Sequence, residues 1–160
     1  MKTAVVYASY HHRNTEKIAE AIAPVLNGTL VPILQTDTLP DVTDFDLLAI
    51  GSGIYRWKFH DKITDFVENL PDGGQRHVIL FSTSAFKNHK FHDAIQKRLE
   101  EKNYHVIGHF HAKGSASFLP EWLTSHRIKG GKDKGRPNQA ELMAAVRFAE
   151  EVKSMMEEVK

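Results

Sequence analysis

The sequence predicts an α/β fold: a three-layer α/β/α domain on a doubly wound, parallel, five-stranded sheet. Three observations carry this expectation. Apolar strand-like runs alternate with segments of helical period along the chain. Two of the runs, Phe45-Asp46-Leu47-Leu48-Ala49-Ile50 and His77-Val78-Ile79-Leu80-Phe81, are almost continuously apolar, as in parallel strands buried on both faces. The length, 160 residues, suits one domain (1–160) able to bury a core on each side of such a sheet.

The elements follow in order. The first strand is read at 3–8, Thr3-Ala4-Val5-Val6-Tyr7-Ala8, and the first helix at 15–26, opening Glu16-Lys17-Ile18-Ala19-Glu20. Pro24 falls inside that helical pattern and should kink or shorten it, because proline lacks the amide donor. Strands at 29–34, 45–50, 77–82 and 105–111 alternate with helices at 60–70 and 90–102. The last helix, 138–159, has the plainest signal: Asn138 stands three residues before Glu141, the spacing of a capping box. Its stripe of Leu142, Val146, Ala149, Val152, Met156 and Val159 reads as core. The connection from 112 to 137 is too long for a simple loop and reads as a functional excursion.

Composition excludes several chemistries. Cysteine is absent, so disulfides, thiolate catalysis and cysteine-bound metals are ruled out. No apolar run approaches the roughly 20 residues of a membrane span, and the chain starts directly in a strand, without signal-peptide character. A cytoplasmic location is expected. The net charge is +1, but the charges are uneven. Segments 51–60, 84–92 and 126–136 together carry +8, leaving about −7 for the remainder. In a doubly wound fold ligands bind beyond the carboxyl ends of the strands. All three segments follow strands, so they should share that rim. The basic residues match no nucleic-acid reading motif.

Ser9-Tyr10-His11-His12-Arg13-Asn14-Thr15 joins the first strand to the first helix. A loop there aims backbone N–H groups and the positive end of the helix dipole at one spot, which suits a phosphate. The GxxxxGK[ST] signature is missing, so it is not a nucleoside-triphosphate loop. Side-chain donors on Ser9, Asn14 and Thr15 fit a terminal phosphomonoester. An ordinary helix cap made by Asn14 or Thr15 fits the same residues.

Four segments in this order resemble the flavodoxin-like family. Val5-Val6-Tyr7-Ala8-Ser9 with Asn14-Thr15-Glu16-Lys17-Ile18-Ala19 is similar to its first strand, phosphate loop and first helix. Phe45 to Ile50 with Gly51-Ser52-Gly53-Ile54-Tyr55 is similar to its third strand and first flavin-ring loop, and Phe81-Ser82-Thr83-Ser84 to the end of its fourth. Gly135-Arg136-Pro137-Asn138 resembles the turn opening its last helix. The resemblance covers essentially the whole chain and implies the strand order 2-1-3-4-5 with non-covalently bound flavin mononucleotide (FMN).

It also implies a site. Ser9, Tyr10, His11, His12, Arg13, Asn14 and Thr15 would hold the phosphate. Ser52, Gly53, Ile54, Tyr55 and Trp57 would face the ring, with Tyr55 and Trp57 as stacking surfaces. Gly51, Ser52 and Gly53 would allow close backbone approach, and backbone groups of Ser82, Thr83, Ser84 and Ala85 would meet the pyrimidine edge. Arg13 stands where the family usually has glycine, so either it contacts the phosphate or it faces solvent. Rim cations such as Arg56, Lys58 and Lys87 would stabilise a reduced, anionic flavin and steer partners.

Ten histidines raise the question of a metal. His109 and His111 share a strand face, and His89 and His92 could share a helix face. Neither pair brings a third ligand in sequence, so no metal site is expected. His60 is expected to begin a helix beside the flavin loop. No acid/base or nucleophile constellation is evident. The expected function is an electron carrier between redox partners, an acidic protein or a small anionic or quinone substrate. The alternative is an FMN-dependent oxidoreductase of quinone-reductase or protoporphyrinogen-oxidase type.

Overall fold

The computed structural model describes residues 1–10, 12–86, 88–114 and 135–158. Its elements are β1 (Thr3–Ala8), α1 (Asn14–Ile22), β2 (Gly28–Pro32), β3 (Leu47–Tyr55), β4 (Lys58–Phe59), α2 (Asp61–Asn69), β5 (His77–Ser84), α3 (Asp93–Glu101), β6 (His105–Lys113) and α4 (Gln139–Glu158). Short 3-10 turns at Ile33–Gln35 and His89–Phe91 follow β2 and precede α3. The five long strands run parallel in the order β2-β1-β3-β5-β6, which is the expected 2-1-3-4-5 once the two-residue β4 is set aside. β4 is a sixth, antiparallel strand paired only with the end of β3.

Alternation along the central strands builds two cores. Ala4, Val6, Leu48, Ile50, Val78 and Leu80 face α2 and α3, packing on Ile63, Phe66, Val67, Ile95 and Leu99. Val5, Tyr7, Leu47, Ala49, Ile79 and Phe81 face α1 and α4, packing on Ile18, Ala19, Ile22, Ala145, Ala149 and Val152. Leu47, Leu48, Ala49 and Ile50 are fully buried, which explains their unbroken apolar run. Along α4 the buried seam runs through Ala145, Ala149 and Val152, with Leu142, Phe148 and Met156 partly buried beside it. Ala145 and Phe148 thus belong to a seam expected to use Val146, and Val159 lies outside the described residues.

Local signals place the ends. α1 stops at Ile22, two residues before Pro24, and the turn closes with Gly28 N donating to the Ala23 carbonyl at 2.8 Å. α4 opens on a reciprocal box: Glu141 N donates to Asn138 Oδ1 at 3.1 Å, and Asn138 N to Glu141 Oε2 at 2.8 Å. His60 caps α2, its Nδ1 accepting from Lys62 N at 3.1 Å.

β3 departs from the expected boundary. It continues five residues past Ile50, so Gly51-Ser52-Gly53 lies in a strand rather than a loop. The reason is packing: a Cβ on Gly51 would fall 2.1 Å from the Phe81 ring. Gly51 therefore makes room for a core phenyl group. Past Tyr55 the chain reverses through Arg56 and Trp57, both at positive φ (49° and 69°), into β4. A two-residue hairpin of this hand normally uses Asn-Gly, and the Arg-Trp pair gave no such signal.

Candidate functional site

At the carboxyl ends of the central strands a cavity of about 300 Å³ is lined by Asn14, Thr15, Gly53, Ile54, Tyr55, Arg56, Thr83, Ser84, Ala85 and Gly114. Three segments expected to form a site therefore converge on one space: the start of α1, the end of β3 and the end of β5. The parallel register is the cause, since it sets Ser52 opposite Ser82 and Gly53 opposite Thr83.

Each candidate residue among those described has a definite place. Thr15 is buried, and its hydroxyl meets that of Thr83 at 2.8 Å, tying α1 to β5 across the floor. Asn14 is buried at the first position of α1, its amide against Gly114, where a Cβ would come within 2.8 Å of Nδ2. Ser9 Oγ accepts from Glu16 N at 3.4 Å, a side-chain cap on the first turn of α1. Tyr55 bends back over Gly53, and its hydroxyl accepts from Tyr10 N at 3.1 Å, joining the first loop to β3. Its ring also meets the His60 imidazole edge-on at 5.3 Å. Burial pushes the Tyr55 hydroxyl above its ordinary pKa.

Several candidate side chains also have partners or positions of their own. Ser52 Oγ donates to the Gly53 carbonyl at 2.6 Å and accepts from His60 N at 2.9 Å, pinning the start of α2. Ser82 faces α3 and meets His92 and His111. The rings of Tyr10 and Trp57 are exposed, Trp57 at 71 % with its indole beside Phe91 at 6.0 Å. His12 is exposed, and His11 lies outside the described residues.

Arg13 takes the second of its two alternatives. Its φ of 54° is left-handed, the conformation that favours glycine. Its guanidinium turns outward along α1, pairing with Glu16 and, at 3.3 Å, with Glu20. That pairing holds the Glu16 carboxyl below the usual range, against the opposing effect of its partial burial. Glu16 in turn accepts from the Tyr7 hydroxyl at 3.3 Å, and burial with this carboxylate pushes Tyr7 to about 12.

Of the basic rim, Arg56 lines the cavity, whereas Lys58 is paired with Asp61 at 2.7 Å. Lys87 and residues 126–134 lie outside the described residues. Gly114 is the wall residue sequence reasoning did not single out. Its position just after the fifth parallel strand was the available signal.

The chain matches the flavodoxin domain family over residues 4–123. An uncharacterized protein of Methanocaldococcus jannaschii is 33% identical over 155 residues, covering 95% of this chain and 98% of the relative. Among solved structures, a flavodoxin from the domain Archaea superposes with a TM-score of 0.67 at 18% identity, over 98% of this chain and 99% of that one. Flavodoxin 1 from Bacillus cereus gives 0.68 at 17% identity, over 96% and 98%. With the family match spanning most of the sequence and a full-length relative at 33% identity, the chain belongs to the flavodoxin domain family.

Proposed function

We propose that this protein binds FMN non-covalently in the cavity at the strand ends and carries electrons between redox partners. The observation that carries this reading is the convergence of Asn14 and Thr15, Gly53 to Arg56, and Thr83 to Ala85 on one space. The volume is at the lower end for small-molecule sites, and the lining mixes apolar walls with a few hydroxyls and backbone groups. Such a lining fits a flat heteroaromatic ring with a polar tail. The start of α1 would receive the phosphate, where the helix dipole favours an anion. Tyr55 would lie along the ring, and the β5 end would offer backbone groups to its polar edge.

FMN, when bound, supplies the electron-accepting ring, and the chain supplies binding, orientation and tuning. Arg56 on the cavity wall favours negative charge there. It would stabilise the reduced ring and draw an acidic partner protein or an anionic or quinone substrate toward it. Among the described residues no helix is long and apolar enough to cross a membrane.

A visible spectrum of the purified protein followed by FMN titration tests the reading. Paired flavin bands, or saturable binding with quenched fluorescence, are expected. A colourless protein that leaves FMN fluorescence unchanged overturns it. Arg56→Glu should then lower the midpoint potential of the bound flavin and reduce the salt dependence of its reduction.

A further inference from the structure

Three histidines from two segments of the chain, His92 before α3 and His109 and His111 on β6, meet on the α3 side of the sheet. His92 Nδ1 lies 2.9 Å from His109 Nδ1, and His92 Nε2 lies 2.7 Å from Ser82 Oγ. Ser82 Oγ is 2.9 Å from His111 Nδ1, and His111 Nε2 is 3.4 Å from Ser84 Oγ. The parallel register makes this possible by setting His111 beside Ser82 and His109 beside Leu80 on one face. Ser82 and His92 are buried and His109 is exposed, and all three histidines line a second cavity together with Asn88, Asp93 and Gln96. Ser84, at the other end, lines the cavity at the strand ends. The five side chains therefore connect two cavities through the sheet edge.

We propose that His109, His92, Ser82, His111 and Ser84 form a directional proton relay from the histidine-lined cavity to the candidate FMN site. The direction follows from hydrogen-bond chemistry. The Ser84 hydroxyl donates to the Phe86 carbonyl, so His111 must present an N–H at Nε2 and a lone pair at Nδ1. The Ser82 hydroxyl then donates to His111 Nδ1 and accepts from His92 Nε2–H. His92 Nδ1 in turn accepts from His109 Nδ1–H. One anchored hydroxyl thus sets every neutral tautomer along the chain, and all donors point toward Ser84.

The proton count balances. A proton from solvent adds to His109 Nε2, and His109 releases its Nδ1 proton to His92. His92 releases its Nε2 proton to Ser82 as Ser82 passes its own to His111. His111 then releases its Nε2 proton to Ser84, whose hydroxyl turns from Phe86 to deliver one into the site. One proton enters and one leaves. Partial burial holds His109 below its ordinary pKa, against the pull of Asp93 and Glu100. Among the described residues no group of three or more histidines and carboxylates is arranged to hold a metal ion.

The relay rests on the FMN reading for its destination, so the test has two arms. In the first, nitrogen NMR of the flavin-free protein reads imidazole tautomers and titrations. Nε2–H forms of His92 and His111 and an Nδ1–H form of His109 are expected, with His92 and His111 responding together as His109 titrates. Ser82→Ala should uncouple His111 from that response. An Nδ1–H form of His111, or independent titration in the parent protein, overturns the relay. In the second arm, proton uptake on chemical reduction of the FMN-loaded protein is followed by indicator absorbance. His109→Gln, which keeps a donor toward His92 but cannot take up a proton, and Ser82→Ala should each slow uptake by tenfold or more at unchanged FMN affinity. Unchanged uptake in both variants overturns the relay. Failure of the parent protein to bind FMN overturns the FMN reading and leaves the relay to be decided by the NMR arm.

Discussion

The hairpin that closes β3 onto β4 puts Trp57 at a φ of 69°, where a side chain is strained and glycine is not. Trp57→Ala and Trp57→Gly both remove the indole. At 71 % exposure less than a third of its surface is covered. Of a side chain of ~200 Å² that is ~60 Å², worth about 1.5 kcal/mol at ~25 cal/mol per Å². The two variants then differ by the backbone alone. Glycine relieves roughly 1–2 kcal/mol of left-handed strain and gives back roughly 0.5–1 kcal/mol in unfolded-chain entropy. Trp57→Gly should therefore be the more stable by about 0.5–1 kcal/mol, or about 2 °C in Tm for a domain of this size. Urea and thermal unfolding of the two flavin-free variants measure this directly. At an ordinary negative φ the order reverses, so an alanine variant as stable as or more stable than the glycine variant refutes the turn geometry. In FMN titrations the two should lose affinity equally if the indole alone contributes.

Three further outcomes are expected. Gly51→Ala should cost about 3 kcal/mol, because its Cβ would sit 2.1 Å from the Phe81 ring, and Phe81→Leu in the same chain should restore part of the loss in urea unfolding. Burial keeps His60 below its ordinary pKa, so the unfolded chain binds the extra proton first and stability falls as pH drops below about 6.5. His60→Asn keeps a capping acceptor for Lys62 N without titrating, and should flatten that acid limb in unfolding measured from pH 8 to 5. Tyr7, at about 12, ionises later in the folded than in the unfolded state, so its contribution is intact below about pH 10 and is lost between pH 10 and 12. Tyr7→Phe should make the alkaline loss of stability shallower over that interval.

The sheet was legible because its evidence is periodic and redundant: a buried parallel strand such as Leu47–Ile50 cannot tolerate polar interruption, and an amphipathic helix declares its buried face. The capping pair Asn138 and Glu141 was legible for a similar reason, since three-residue spacing has one local meaning. Where a glycine or a hydroxyl points is decided by partners far along the chain. Gly51 reads as a ligand-approach residue until Phe81, thirty positions later, is seen to fill its space. Ser52 and Ser82 look alike in sequence, yet one is spent on the backbone of α2 and the other on histidines of α3 and β6. His109 and His111 could be placed on one face from alternation alone. The arrival of His92 between them and β5 could not, because it depends on how the 3-10 turn at His89–Phe91 sets the start of α3.

The Arg13 position shows how a departure from a family pattern can preserve what the pattern does. The loop needs a left-handed residue just before α1 so that the chain can turn from the strand end into the helix, and glycine meets that need without side-chain strain. Here Arg13 adopts the same conformation, and its carbonyl still accepts the first helical bond, from Lys17 N at 3.0 Å. Its guanidinium is drawn outward by Glu16 and Glu20, on the successive turns of α1 that a long side chain can reach. The charge that reads in sequence as a phosphate contact is thereby spent on the helix surface. What remains at the mouth of the cavity is the positive end of α1, the buried Asn14 and Thr15, and the cation of Arg56 from the opposite wall. An anion would then be held by the helix end and a polar ligand oriented by the β3 hairpin, so that the two strained segments, His12-Arg13 and Arg56-Trp57, border the same site. Left-handed non-glycine residues persist where surrounding structure over-determines them, and they cluster at functional sites. Four of the seven such residues among those described lie in these two segments, with Asn27, Gln75 and Asn103 elsewhere, and that share supports a ligand site more than either loop could alone.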